Sequence, residues 1–112
     1  MALEINVNEV NDIVIIKLVG NLDTNTAPDA ETEINSWLEK DCKKMVISLA
    51  ETNYVSSAGL RVFLATVKKM TAAGGSAKFF GPNEVVQEIL DISGFSSILD
   101  IKSTEEDALA SV

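Results

Sequence analysis

Residues 13–19, Ile-Val-Ile-Ile-Lys-Leu-Val, most restrict what this chain of 112 residues can fold into. A run so rich in β-branched and apolar residues is typical of a strand that is covered on both faces. Such a strand needs other elements packed on each side of it, which means a layered domain. A second strand pattern at residues 3–7 lies too close for a crossover helix, so the two strands are predicted to form a hairpin around residues 8–12.

Helix and strand patterns alternate along the rest of the chain. Thr26 is a suitable N-cap, Pro28 falls in the first turn, and apolar residues then recur with helical spacing at Ala30, Ile34, Trp37 and Leu38. Further strands are predicted at Met45–Leu49, Ala77–Phe80 and Ser97–Ile101, and further helices at 57–73, 83–94 and 104–110, the last with a capping box of Ser103 and Glu106. This order predicts the α/β class, as a single domain over residues 1–112 with a mixed β-sheet of about five strands packed against about four helices.

The predicted core follows from the inward positions of these elements. The helix over 57–73 is expected to bury its apolar stripe against the sheet, and the last strand is expected to lie at an edge. The predicted core residues are Leu49, Leu60, Phe63, Leu64, Val67, Ile89 and Leu90.

Composition excludes several classes of function. Nine Lys and Arg against 17 Asp and Glu give a formal net charge of −8, which argues against binding nucleic acid or an anionic membrane. With no His and a single Cys, Cys42, the chain lacks the residues for a structural zinc site, a disulfide framework or a His-activated nucleophile. We therefore expect no metal and no cofactor, and most hydrolase chemistry is excluded. The N-terminus has no basic segment and no long apolar run, so a cytoplasmic location is expected.

Two segments are unusual for a plain scaffold. The first is Tyr54–Leu60, which places Ser56, Ser57 and Gly59 at the start of a helix. Ser is a favoured N-cap, and that role alone would explain it. The free N–H groups and the positive dipole end of a helix start also favour an anion, so the segment could carry a phosphate attached to a Ser or hold a bound one.

The second segment is Val19–Pro28, which collects Gly, Asp, Thr and Asn at the exit of a strand. Asp23 would ordinarily bond its own backbone in a turn. If the strands ending at Val19 and Leu49 are neighbours, both segments emerge at the same edge of the sheet. Ligand and partner sites of α/β folds gather at such carboxyl ends.

Together the two segments resemble the STAS family, the fold of bacterial anti-sigma factor antagonists. The stretch Gly-x-Leu-Asp-x-x-Thr-Ala-Pro of that family is matched by Gly20, Leu22, Asp23, Thr26, Ala27 and Pro28. The family's second motif, at the start of the next helix, is matched by Ser57, Ala58, Gly59 and Leu60. The order of elements agrees over nearly the whole chain.

The resemblance implies a regulator without catalysis of its own. In the family, the unphosphorylated antagonist captures a partner that is both anti-sigma factor and serine kinase. Phosphorylation at the position of Ser57 breaks that complex, and a PP2C-type phosphatase restores it. Ser56 is the less favoured acceptor. The partner-binding surface implied here comprises Asp23, Thr24, Ser56, Ser57, Ala58, Gly59 and Arg61.

The chain departs from the family pattern at Ser56 and Ser48, where the family carries Asp. Loss of these carboxylates predicts slow phosphorylation of Ser57. Two other readings stay open: a STAS subunit of a larger signalling or transport-associated complex that is never phosphorylated, and a module that holds a nucleotide or other anion at the helix start. The sequence leaves the oligomeric state open. The outward face of the helix after Ser57 is small and basic, with Arg61, Ala65, Lys68, Lys69 and Ala72. It is either a solvated face or a contact that lets a partner helix approach closely and attracts an acidic partner patch.

Overall fold

The fold begins with a tight hairpin in this computed structural model, which describes residues 3–112. Strands β1 (Glu4–Val10) and β2 (Ile13–Leu22) pair antiparallel across a turn at Asn11 and Asp12. Asn11 adopts a φ of 58°, a left-handed conformation that Asn tolerates because its short polar side chain bonds locally. The hairpin was predicted, but the turn is shorter than residues 8–12, so β1 extends beyond its predicted end. β2 begins where it was predicted and continues past residue 19 to Leu22, at the end away from the turn.

Six strands form one mixed sheet with helices on both sides. After the hairpin the chain forms α1 (Ala27–Glu39), β3 (Lys44–Ser48), β4 (Thr52–Val55), α2 (Ser57–Ala72), β5 (Ser76–Phe80), α3 (Glu84–Ile92), a 3₁₀ turn (Phe95–Ser97), β6 (Ile101–Lys102) and α4 (Glu105–Ser111). The strand order is β1-β2-β3-β5-β6, with β4 paired to β2. Apart from the hairpin, the pairings are parallel. The α/β class and the mixed sheet were predicted.

Strand β4 is the element that the sequence did not predict. The first half of β2 pairs with β3, and its second half pairs with β4, after the chain steps outward at residues 49–51. The buried hydroxyl of Thr52 donates to the carbonyl of Leu18 at 2.7 Å and fixes this second pairing. The polar residues 51–53 hid the strand because they break the apolar pattern.

The core has two parts, one on each face of the sheet. The larger part joins the sheet to α1, α2 and α3, and contains fully buried Ile16, Phe63 and Phe79. The smaller part joins the other face to α4 through Ile15, Val46, Phe80 and Ala108. The run 13–19 is therefore covered on both faces at its centre, as predicted.

The buried face of α2 is rotated from the predicted one. Leu49, Leu60, Phe63 and Leu90 are buried as expected, whereas Leu64, Val67 and Ile89 are only half-buried. Val62 and Thr66 are buried instead. Thr66 can be buried because its hydroxyl donates to the carbonyl of Val62 at 2.7 Å, which leaves no polar atom unsatisfied.

Two predictions for the C-terminal region were wrong. The strand predicted over 97–101 begins only at Ile101, because the chain first makes the 3₁₀ turn, in which the amide of Leu99 donates to the carbonyl of Phe95. The short strand β6 lies at an edge of the sheet, as predicted. The N-cap of α4 is Thr104 and not Ser103: its hydroxyl accepts from the amide of Asp107 at 3.2 Å. In residues 3–112, no helix combines the length and the apolar character needed to cross a membrane.

Candidate functional site

The two unusual segments meet at one edge of the sheet. The amide of Ser56 donates to the carbonyl of Leu22 at 2.8 Å, which joins the loop after β4 to the loop after β2. The predicted meeting of the segments is confirmed. The strands that bring them together end at Leu22 and Val55, however, and not at Val19 and Leu49.

Ser57 offers an accessible hydroxyl at the start of α2. Ser56 is the half-buried N-cap, and its Oγ accepts from the amide of Gly59 at a long 3.4 Å. Ser57 is the first residue of the helix and is exposed. Its hydroxyl makes no hydrogen bond to another described residue, so it is open to group transfer from outside.

The Asp23 loop is held by its own side chains. Asp23 Oδ1 accepts from the amides of Asn25 at 2.9 Å and Thr26 at 3.1 Å. The buried hydroxyl of Thr26 accepts from the amide of Asp23 and donates to the carbonyl of Asn21. Thr26 is the N-cap of α1 by position, as predicted, but its side chain makes no capping bond and locks the loop instead. Asp23 is thus a half-buried, rigidly placed carboxylate, and it directly follows Leu22, the residue that is bonded to Ser56.

Gly20 supplies the backbone conformation that β2 requires where its pairing with β4 shifts register, between Gly20 and Asn21. Its φ is 113°, a region that L side chains rarely adopt. Its amide donates to the carbonyl of Glu51 at 3.0 Å, at the point where the chain steps from β3 to β4. The Gly of the first motif therefore has a structural role.

Gly59 lets the first turn of α2 close onto the sheet. A Cβ at this position would stand 2.8 Å from Leu22 Cγ and 2.9 Å from Val55 Cγ1, and both of those side chains are buried. Gly59 is itself buried, so we assign it a structural role beneath the site in place of the partner contact expected from the sequence.

Replacement of Gly59 by Ala is expected to lower the free energy of unfolding by about 1 to 3 kcal/mol, because an added methyl overpacks this contact. Thermal or urea denaturation measures it. In an uncrowded helix the same change would stabilise the protein by roughly 0.5 to 1 kcal/mol. A rise in the denaturation midpoint would therefore contradict the close approach.

An open groove of about 340 Å³ runs beside the site between α1 and α2. It is lined by Thr24, Ala27, Pro28, Glu31, Ala58, Arg61, Val62 and Ala65. The structure thus brings together Thr24, Ala58 and Arg61, three of the predicted site residues. Ala65 was predicted only as part of the outward helix face. Glu31 and Val62 were missed, although Val62 follows Ala58 at helical spacing and could have been inferred from it.

Ser48 does not belong to this site. It is buried at the end of β3 and lines a different pocket with Ile15, Phe80 and Glu105, on the face of the sheet that α4 covers. The missing carboxylate at position 48 therefore takes nothing away from the surroundings of Ser57, and only the substitution at Ser56 bears on them. Among residues 3–112, no cluster of three or more His, Cys, Asp or Glu could hold a metal ion.

Comparisons with known proteins agree with this geometry. The chain is 29% identical to the anti-sigma F factor antagonist of Paenibacillus polymyxa over 110 aligned residues. The aligned region covers 97% of this chain and 94% of that protein. The fold of this chain matches the crystal structure of an anti-sigma factor antagonist from Mycobacterium paratuberculosis, with a TM-score of 0.90 at 22% identity over 98% of this chain and 93% of that one. It also matches the phosphorylated form of the Bacillus cell fate determinant SpoIIAA, with a TM-score of 0.73 at 18% identity over 96% and 97% of the two chains.

The family itself follows from the match of the whole fold and of both motifs. The model of the STAS domain aligns with residues 4–108, which include the Asp23 loop, the start of α2 and every strand of the sheet. With this match added to the sheet order and the site, the chain belongs to the STAS domain family.

Proposed function

We propose that this chain is an anti-sigma factor antagonist, that it binds an anti-sigma factor with serine kinase activity, and that phosphorylation of Ser57 ends the complex. The observation that carries the proposal is the exposed hydroxyl of Ser57 at the first position of α2, where the chain is joined to the end of β2 through the bond from Ser56 to Leu22. The relative from Paenibacillus polymyxa supports the coarser part, because it is itself an anti-sigma F factor antagonist.

The charge of a phosphate explains why the complex would end. A phosphoserine carries roughly −1.5 to −2 charges at neutral pH. At a packed contact this charge must be desolvated, and it adds to the negative charge of an already acidic chain. The dipole of α2 offsets roughly 0.3 to 1 kcal/mol of the cost within the folded domain. The switch thus acts on the contact, and the phosphorylated domain stays folded.

The partner proteins carry out the transfer of the phosphate to Ser57 and its removal. We assign the kinase step to the anti-sigma factor and the reverse step to a PP2C-type phosphatase, because the site itself holds an acceptor hydroxyl and a carboxylate that is already engaged in its own loop. The exposure of Ser57 allows both enzymes to reach it. This role is cytoplasmic and requires neither nucleic acid nor membrane contact.

The binding step is tested by mixing the purified chain with each purified anti-sigma factor kinase of the organism that encodes it. A complex is expected on size-exclusion chromatography without ATP, and its loss is expected after incubation with ATP and Mg²⁺. If no complex forms in either condition, the proposed partner is wrong.

The presence of Ser at position 56, where the family carries Asp, favours a second candidate function: a STAS subunit that is never phosphorylated. A carboxylate at this position could orient the acceptor hydroxyl or the metal of the kinase, whereas the Ser56 hydroxyl is turned inward as an N-cap. A complex that persists in ATP with no change of mass would support this candidate.

Replacement of Ser56 by Asp is expected to raise the initial rate of phosphorylation by about tenfold to a hundredfold, because a carboxylate there can position the reacting groups. Asp caps a helix about as well as Ser, so stability should hardly change. Initial rates with the same kinase measure the effect. Ser56→Asn is the matched neutral control, and equal rates for all three proteins would remove position 56 from the transfer step.

A further inference from the structure

Helix α2 carries the unpaired positive charge of an acidic protein. Its sequence contains Arg61, Lys68 and Lys69 but no Asp or Glu, in a chain with 17 acidic residues. Five other cations form ion pairs: Lys17 with Glu51, Lys43 with Asp41, Lys44 with Asp12, and both Lys78 and Lys102 with Asp100. The Nζ of Lys40 lies 4.3 Å from the centre of the Trp37 ring. Across residues 3–112, the cations that have neither kind of partner are therefore the three on α2.

Two of these cations share one side of the helix with an apolar residue. Arg61 and Lys68 are exposed, and two turns of helix separate them by about 10 Å. Leu64 stands between them, half-buried and in neither part of the core. We call Arg61, Leu64 and Lys68 the α2 stripe. Ser57 lies on the same side, one turn before Arg61.

No carboxylate of α2 lies beside the stripe, because this helix contains no Asp or Glu. The nearby carboxylates belong to α1. Glu31 on α1 shares the groove with Arg61, and Glu39 lines a second part of that groove with Lys69. The Nζ of Lys69 donates to Asn35 Oδ1 of α1 at 3.0 Å, so this cation leans toward the groove. An acidic ligand would meet the α1 carboxylates inside the groove, but it would meet Arg61 and Lys68 along the stripe.

We propose that the α2 stripe docks an acidic segment of the anti-sigma factor, with an apolar side chain over Leu64 and carboxylates on Arg61 and Lys68. The identity of the partner rests on the proposed function, while the chemistry of the segment rests on the stripe. Complementary charge at such a contact speeds association and fixes its register. A polyphosphate fits poorly, because a net charge of −8 repels it and two cations neutralise few phosphates.

The stripe also adds a local cause for release by phosphate. Helical Cα–Cβ bonds tilt toward the N-terminus, so the stem of Arg61 starts toward the turn that contains position 57, and its long side chain is within reach of a group there. Arg and phosphate form strong paired hydrogen bonds. A phosphate on Ser57 would therefore compete with a carboxylate of the partner for Arg61.

Association kinetics with the purified anti-sigma factor test the stripe. The double reversal Arg61→Glu with Lys68→Glu is expected to slow association at low salt by about tenfold or more. Lys40→Glu with Lys44→Glu changes the net charge equally on another part of the surface and should slow it by less than about twofold. Thermal denaturation confirms that both variants fold. Equal slowing by the two pairs would show a net-charge effect and overturn the stripe.

If the anti-sigma factor does not bind the unmodified chain, the proposed partner is wrong, but the α2 stripe is still untouched by that result. A second measurement therefore tests whether the α2 stripe binds an acidic helix. The probe is a helical peptide with a Leu flanked by Glu one turn away on each side. Its NMR shift changes should concentrate on residues 57–68 and vanish in the double reversal. Shifts elsewhere would overturn the stripe, and so would binding of the same residues to phosphatidylserine vesicles, which would indicate a membrane surface.

Discussion

Truncation of Phe63 to Ala is expected to lower the free energy of unfolding by about 3 to 5 kcal/mol. Phe63 is fully buried at the centre of the larger core, and its ring centroid lies 5.0 Å from that of Phe79. Removal of the ring loses apolar burial, leaves a cavity and deletes an aromatic pair. Urea denaturation followed by circular dichroism measures the loss.

Leu64→Ala is the matched control, one residue further along the same helix. Leu64 is half-buried and outside both parts of the core, so we expect a loss of about 1 kcal/mol or less. The sequence alone placed Leu64 in the core, where truncation would cost about 2 to 5 kcal/mol. Similar losses for the two variants would show that the buried face of α2 is assigned wrongly.

Replacement of Ser57 by Ala is expected to abolish phosphate transfer to the chain while binding to the anti-sigma factor persists in ATP. The Ser57 side chain makes no hydrogen bond to another described residue, so its loss should leave the fold intact. Ser57→Asp should weaken binding by about tenfold, because a permanent charge then stands at the contact and costs at least about 1.4 kcal/mol. Titration calorimetry with and without ATP measures both effects.

Ser103→Ala serves as the control for these variants, since Ser103 is also exposed but lies in the loop after β6. It should take up phosphate at the rate of the unmodified chain. A Ser57→Ala protein that is still phosphorylated and released would move the switch to another residue.

The sequence predicted those parts of the fold that are set by local periodicity. The apolar run 13–19 and the helical spacing of Ala30 and Ile34 are patterns within a single strand or helix, so they can be recognised without knowledge of distant contacts. The structure confirms both elements. The loops of Asp23 and Ser57 were also brought together correctly, because parallel strands deliver their carboxyl ends to one edge.

The features of the fold that the sequence did not predict depend on contacts between residues that are far apart in the chain. Strand β4 exists because Thr52 bonds Leu18, a contact that no local pattern of residues 51–53 reveals. Thr66 is buried because a backbone carbonyl satisfies its hydroxyl, so polarity alone assigned the wrong face to α2. Ser48 fell on the far side of the sheet because the alternation of β3 decides the face of a residue, whatever motif contains it.

The mass of the chain after incubation with its anti-sigma factor, ATP and Mg²⁺ tests the central claim most directly. Intact mass spectrometry with fragmentation reports both the number of phosphates and the residue that carries them. The account predicts one added phosphate, located on Ser57 and removed by a PP2C-type phosphatase. An unchanged mass in a mixture where the complex has formed, or a phosphate on Ser56 or Thr52 alone, would contradict it.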